Sequence, residues 1–346
     1  MLVFTFFLPV FFLVSLTNVN SAQRKKNDAL LSQQRGVEVG ASKLSVLPVK
    51  GNYWAFIIGI NNYPGFSSEN QLETAVRDAK GVKDILVSKY GFKTSRIKEL
   101  YNHKATRENI ENTFYELSNL IREEDNLLIY YAGHGLFDKK KELGWWVPYD
   151  GKPKRPGSYI PNSTIRDYIK AIKSRHTYLV ADSCFSGTLF GKFRTLPPLS
   201  DDVIRDLYSD KSRWGLTSGG VQPVADGGKD GHSVFAYFFL KTLRDNKHRF
   251  IIPSQIFNKV MPLVANNSNQ RPLSQPIANT GDEGGQFVFL LQTGLQNEDF
   301  KKSGLEKRLE KLQKKREKLE SKQKQVELLA KIEEEEKRLE ELEREE

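Results

Sequence analysis

Tyr178-Leu179-Val180-Ala181-Asp182-Ser183-Cys184-Phe185-Ser186-Gly187 is the stretch on which the reading of this chain turns. An apolar run with the length of a buried strand ends on an acid, and two residues later stands the one cysteine among 346 residues. Fifty residues before Cys184, a second such run, Leu127-Leu128-Ile129-Tyr130-Tyr131-Ala132, ends in Gly133-His134-Gly135. A thiol and an imidazole, each at the end of its own strand and each beside glycine, are the minimum parts of a cysteine-nucleophile hydrolase. The thiolate attacks, and the imidazole moves protons to and from the reacting groups. Glycines on both sides of His134 let a bound backbone approach closely, although for either glycine alone a plain turn is the simpler reading.

Outward from these two runs, strands alternate with helical patterns. Tyr53 to Ile60 is a third buried run and closes on the turn residues Asn61-Asn62-Tyr63-Pro64-Gly65. Leu72, Ala75, Val76, Ala79, Val82, Ile85 and Leu86 then recur at helical spacing. Ile97 to Tyr101 reads as a short strand, and Thr106 opens a helix carrying Ile110, Phe114, Leu117 and Ile121. A loop holds Trp145-Trp146-Val147-Pro148, and a helix around Ile165, Ile169 and Ile172 leads into the Tyr178 run. Beyond Cys184, residues 188–212 read as a long polar loop, and Trp214-Gly215-Leu216-Thr217-Ser218 as a further strand. His232-Ser233 and Pro253 each start an amphipathic helix, and Phe287-Val288-Phe289-Leu290-Leu291 reads as the last strand. The pattern predicts an α/β domain over residues 50–293, a mostly parallel central sheet of about six strands with helices on both faces. His134 and Cys184 fall at carboxyl ends of strands, where open α/β sheets bind their ligands.

The flanks differ from this domain. Met1 to Leu16 is almost wholly apolar, and Ser21-Ala22 precede the basic Arg24-Lys25-Lys26. That run is short for a bilayer span and the small residues offer a cleavage point, so residues 1–22 read as a signal peptide lacking the usual basic start. A secreted or periplasmic protein is expected, with an uncleaved membrane anchor as the rival. Residues 23–49 are a polar linker. Export sharpens the meaning of Cys184, which has no partner within the chain. A buried inert thiol and an intermolecular disulfide are its other readings. In the tail, residues 294–346, Leu305, Leu309, Leu312, Leu319 and Val326 fit a heptad that slips before Ile332, Leu339 and Leu342 resume it. The tail is read as a coiled coil that self-associates or as a lone charged helix. The net charge of +10 suits a charged surface and does not by itself argue for nucleic acid. One cysteine and five scattered histidines cannot build a structural zinc site, and no second apolar stretch is long enough for a membrane span.

The pair Tyr130-Tyr131-Ala132-Gly133-His134-Gly135 and Asp182-Ser183-Cys184-Phe185-Ser186-Gly187 resembles the caspase–metacaspase group of cysteine peptidases, over about residues 50–292. It is nearer to metacaspases and their bacterial relatives, since Asp182-Ser183-Cys184 stands where caspases carry Gln-Ala-Cys. The resemblance implies that Cys184 is the nucleophile and His134 the proton donor to the leaving amine. It also implies that the backbone N–H groups of Gly135 and Cys184 hold the oxyanion. In the family, the residue two before the nucleophile lines the primary pocket, and Asp182 there would attract Arg or Lys. The family's second pocket acid lies in an Asn-Asp-Ala context. Arg77-Asp78-Ala79 stands in its place, with Arg77 for Asn, and a helix-surface carboxylate is the other reading of Asp78. Ala132 replaces a common pocket serine.

Metacaspases often depend on calcium through clustered aspartates. Here Asp150 is isolated and Asp201-Asp202 has a different spacing, so no cofactor is expected, with calcium dependence left open as an alternative that no matching aspartate cluster supports. His103, His176, His232 and His248 are expected at the surface or as caps. The loop from Thr188 to Arg213, with Lys192, Arg194, Arg205, Lys211 and Arg213, is the expected place of self-cleavage. The function this implies is an exported cysteine endopeptidase acting on protein or peptide substrates after Arg or Lys. The alternative is a catalytically silent caspase-like scaffold acting through its coiled-coil tail.

Overall fold

The three apolar runs lie side by side at the centre of the protein. The structure, a computed structural model, describes residues 51–183, 189–190, 207–219, 228–292 and 331. Cys184, the segment 1–50 with its expected signal and linker, and the tail apart from residue 331 lie outside the described residues.

The central strands are β1 (Tyr53–Gly59), β2 (Ile97–Tyr101) and β3 (Asn126–Ala132). A hairpin of β4 (Gly135–Asp138) and β5 (Leu143–Trp146) follows, joined by the short β6 (Ile160–Pro161). Then come β7 (His176–Asp182), β8 (Ser212–Thr217), β9 (Phe250–Ile251), β10 (Leu273–Pro276) and β11 (Phe289–Leu290). The main sheet has six strands in the order β10-β8-β7-β3-β1-β2, and only the β10–β8 pairing is antiparallel.

Both faces of this sheet are covered, which is why β3 and β7 are buried at every position and read as unbroken apolar runs. The two-residue side-chain period divides the core. Leu128, Tyr130, Tyr178 and Val180 pack with α1 (Ala75–Tyr90), α4 (Val234–Asp245) and α5 (Pro253–Asn267). Leu127, Ile129, Tyr131, Leu179 and Ala181 pack on the other face with α2 (Arg107–Leu120) and α3 (Asn162–Ala171). The chain leaves β1 for β2 on one side and returns to β3 on the other. The strand order therefore reverses between β1 and β3, the place where open α/β sheets bind their ligands.

Three expectations are corrected. The loop around Trp145-Trp146 is the β4–β5 hairpin, held because Trp146 is fully buried against Tyr131, with ring centroids 4.2 Å apart. The sixth strand of the sheet is the polar β10, whereas Phe287 to Leu291 leaves only the two-residue β11, paired with β9 outside the sheet. Phe287, Val288 and Phe289 are nonetheless fully buried, so their apolarity reports burial and not sheet membership. Arg213 is no exposed loop residue. It lies fully buried in β8, and its guanidinium donates to the carbonyls of Ile172, Ser174, Arg175 and Ser212 at 2.8–3.2 Å. Burial lowers its pKa to about 10, against the pull of Asp282 and Glu283. An extended, accessible peptide for self-cleavage is absent at that residue; Lys192, Arg194 and Arg205 lie outside the described residues.

Candidate active site

His134 follows β3 by two residues and is fixed through its backbone. Its N–H donates to the Tyr63 hydroxyl at 2.7 Å, and its carbonyl accepts from the Tyr131 hydroxyl at 2.6 Å and from Val147 N–H at 3.0 Å. Tyr63 comes from the turn after β1 and Val147 from the end of the hairpin, so the imidazole is aimed by three separate segments. Gly133 makes this possible. A Cβ there would stand 2.7 Å from the Tyr63 hydroxyl and 3.0 Å from that of Tyr131. Burial pushes the Tyr63 phenol well above its ordinary pKa, so it stays protonated.

The ring lies against Tyr63 and Phe66, with centroids 4.7 and 6.2 Å away, and its Nε2 is 2.7 Å from the carbonyl oxygen of Asn70. A carbonyl only accepts, which assigns the Nε2 proton in the neutral ring and leaves Nδ1 as the basic nitrogen. Neither Tyr63 nor Asn70 was singled out from the sequence as a partner of His134. Tyr63-Pro64-Gly65 had registered only as turn residues.

In the β3–β7 register Ala132 stands opposite Asp182, and Gly133 N–H donates to the Asp182 carbonyl at 3.5 Å. His134 and Cys184 each lie two residues beyond that pair. Cys184 itself is outside the described residues. Gly135 opens β4 opposite Trp146.

The two candidate pocket acids come together. Asp78 sits in the first turn of α1, where the helix dipole favours an anion, and is 0% exposed; Asp182 ends β7 and is 2% exposed. Ser233, the N-cap of α4, joins them. Its N–H donates to Asp78 Oδ2 at 3.3 Å and its hydroxyl donates to Asp182 Oδ2 at 2.5 Å, while Ser233 Oγ itself accepts from Ala236 N–H at 2.9 Å. Asp78 Oδ1 lies 2.6 Å from His232 Nδ1. Burial, then Asp182, then Asp78 push the Tyr130 phenol far above its ordinary pKa, so both carboxylates act on one buried hydroxyl.

The surface reading of Asp78 therefore gives way to a buried one. His232 is also no free surface group or cap, because the cap is Ser233 and the imidazole is spent on Asp78. The sequence signal for Ser233 was its place before an amphipathic helix, but nothing there told of two distant acids. Arg77 turns away from the acids and donates to the Gly231 carbonyl at 3.0 Å, fastening the turn before His232. Gly231 has φ +75°, and a Cβ would strike that guanidinium, so glycine is needed there.

His176 is likewise buried and not at the surface. It lies between Asn126 and the carbonyls of Tyr208 and Asp210, and burial lowers its pKa to about 3. Among the described residues no group of three or more His, Cys, Asp and Glu side chains is placed to hold a metal ion. Asp150 accepts from the Arg107 backbone at the start of α2, which is a structural use. Among the described residues, no helix is long and apolar enough to cross a membrane.

The fold and this arrangement define an α/β domain with an imidazole just after one central strand and two buried carboxylates, one ending the neighbouring strand, joined through a serine. The caspase-domain family, peptidase family C14, matches residues 52–327, and the chain belongs to it. Metacaspase-6 of Arabidopsis thaliana is 30% identical over 149 residues, 39% of this chain and 38% of that protein. Metacaspase-1 of Eremothecium gossypii is 30% identical over 91 residues, 25% of this chain and 20% of that protein. The aligned stretches thus span well under half the length of these curated relatives. Among solved structures, caspase-1 from Spodoptera frugiperda is 14% identical with a TM-score of 0.49, covering 71% of this chain and 93% of its own. A Geobacter sulfurreducens protein is 15% identical with a TM-score of 0.45, covering 70% and 100%.

Proposed function

We propose that the protein is a cysteine endopeptidase that cuts after Arg or Lys. The observation that carries this is the pair of buried carboxylates, Asp78 and Asp182, tied to one serine within reach of the strand end that bears His134. Two anions held together out of water are costly unless a cation joins them, and a guanidinium or ammonium side chain is such a cation.

With that side chain in the pocket, the Cys184 thiolate attacks the carbonyl carbon of the same residue. The new oxyanion takes N–H donors from Gly135 and Cys184, and His134 protonates the leaving amine as the C–N bond breaks. His134 then takes a proton from the water that cleaves the thioester, and the thiol is regenerated. Membership of a peptidase family and the fixed imidazole support this reading. Export directed by residues 1–22 and self-association through residues 294–346 belong to the same proposal.

The test is a fluorogenic peptide panel that varies only the cleaved residue. Cleavage after Arg and Lys is expected for the wild type, and none for Cys184→Ala or His134→Ala. The double variant should be no slower than either single one, because the two act as a unit. A folded wild type that ignores the whole panel would leave the silent-scaffold alternative standing.

A further inference from the structure

We propose that the outer edge of β4 seats the substrate chain beyond the cut, and that Leu136 selects an apolar side chain at the second residue after it. The inference rests on the peptidase reading above and is independent of which residue is cleaved. β4 is the outer strand of the β4-β5-β6 sheet, and among the described residues no strand pairs with its other edge. The β4–β5 register fixes which backbone groups lie on that edge. Val147 N–H donates to the His134 carbonyl at 3.0 Å, and Gly135 stands opposite Trp146. Antiparallel pairs alternate, so Leu136 and Asp138 turn their N–H and C=O groups to β5, while Gly135 and Phe137 turn theirs away from it.

The first donor of this outward row, Gly135 N–H, is the one given to the oxyanion above. Phe137 N–H follows about 6.7 Å further along the strand. His134 protonates the leaving amine, so the chain beyond the cut lies on its side of the scissile bond, and β4 starts at the next residue. A chain laid parallel to β4 from the oxyanion meets the whole row in register. Gly135 N–H donates to the carbonyl of the cleaved residue, and the Gly135 carbonyl accepts the N–H of the second residue after the cut. Phe137 N–H donates to the carbonyl of that same second residue. Strand addition of this kind takes its affinity from the main chain and its selectivity from alternate side chains.

Leu136 supplies that selectivity. In this register the second residue after the cut stands beside Leu136, on the same face. Leu136 is 43% exposed, whereas Trp145, opposite it on β5, is 8% exposed and is paired in turn with Pro161 of β6. The apolar row Pro161, Trp145, Leu136 thus ends at the outer edge with its last member uncovered. Leu143, 48% exposed, lies diagonally across from Leu136 on the same face. An apolar side chain arriving on a fourth strand would extend this row and cover Leu136.

The experiment uses internally quenched peptides, with the cleaved residue taken from the panel above and the backbone nitrogen of the second or the third residue after the cut methylated. Parallel pairing turns the second N–H to β4 and the third away from it. Methylation of the second should lower wild-type kcat/KM about five- to tenfold, and methylation of the third should change it by less than about twofold. Leu in place of Ser at the second position should raise kcat/KM about three- to fivefold, and Leu136→Ser should lose that preference. Equal effects of the two methylations would overturn the proposal while leaving the peptidase reading intact. A preference that survives in Leu136→Ser would overturn the role of Leu136. A dimer that Leu136→Asp splits would give the edge to a second copy of this chain and overturn the proposal too. A folded wild type that cleaves none of the peptides would overturn both readings.

Discussion

Asp182 holds its place at the end of β7 by accepting the Ser233 hydroxyl at 2.5 Å, and an asparagine there keeps an acceptor for that bond while losing the charge. Asp182→Asn should therefore fold, yet lose about 1–3 kcal/mol of interaction with a bound cation. Cleavage after Arg and Lys should fall roughly tenfold or more, and cleavage of an uncharged analogue should stay nearly level. Equal losses on both substrates would assign Asp182 to the fold alone. His176 makes a different residue-scale prediction. Its pKa is lowered to about 3 by burial, so near pH 5 the unfolded chain binds a proton that the native state refuses. Stability from this group is complete above its ordinary pKa of about 6.5 and is lost as pH falls towards 3, in total on the order of a few kcal/mol. Urea midpoints measured across that window should drop with acid in the wild type and flatten in His176→Asn.

At the scale of elements, the β4–β5 hairpin is the part that aims His134. Val147 at its end donates to the His134 carbonyl at 3.0 Å, and Trp146 stacks on the Tyr131 ring whose hydroxyl holds the same carbonyl. Trp146→Ala should cost about 3–5 kcal/mol, the range for a buried tryptophan, and should lower kcat more than it raises KM. Trp146→Phe should recover most of both. Wild-type kcat in a measurably destabilised Trp146→Ala protein would separate the hairpin from catalysis. This element was invisible in the sequence for a physical reason. Strands of four residues carry too few side chains for the two-residue period to show, and their burial depends on a tyrosine from another strand.

For the whole molecule, the question is where the peptidase unit ends. The chain stays pinned through Gln292: Leu291 N–H donates to Arg249 O at 2.7 Å and Gln292 N–H to Lys89 O at 3.0 Å. The caspase-domain match nonetheless runs to residue 327. If the described core is sufficient, truncation after residue 295 should leave kcat/KM on a short Arg peptide within about twofold while changing the hydrodynamic size. A folded but inactive truncated protein would place residues 296–327 in the working unit.

The sequence alone determined the sheet's centre and the strand-end positions of His134 and Asp182. A strand buried on both faces must be apolar throughout, and glycines beside the histidine marked the turn. Helix starts were legible too, because Thr106 and Ser233 cap through atoms a few residues away. Only the tertiary structure decided what those residues touch. Asp78 and Asp182 are 104 residues apart in the chain, and the serine joining them is 51 residues beyond the second. The polar strand β10 was chosen by its neighbour's free edge and not by its own pattern. Arg213 and His176 looked like surface residues because composition reports what is polar, while burial of a polar group depends on carbonyls brought from elsewhere in the fold.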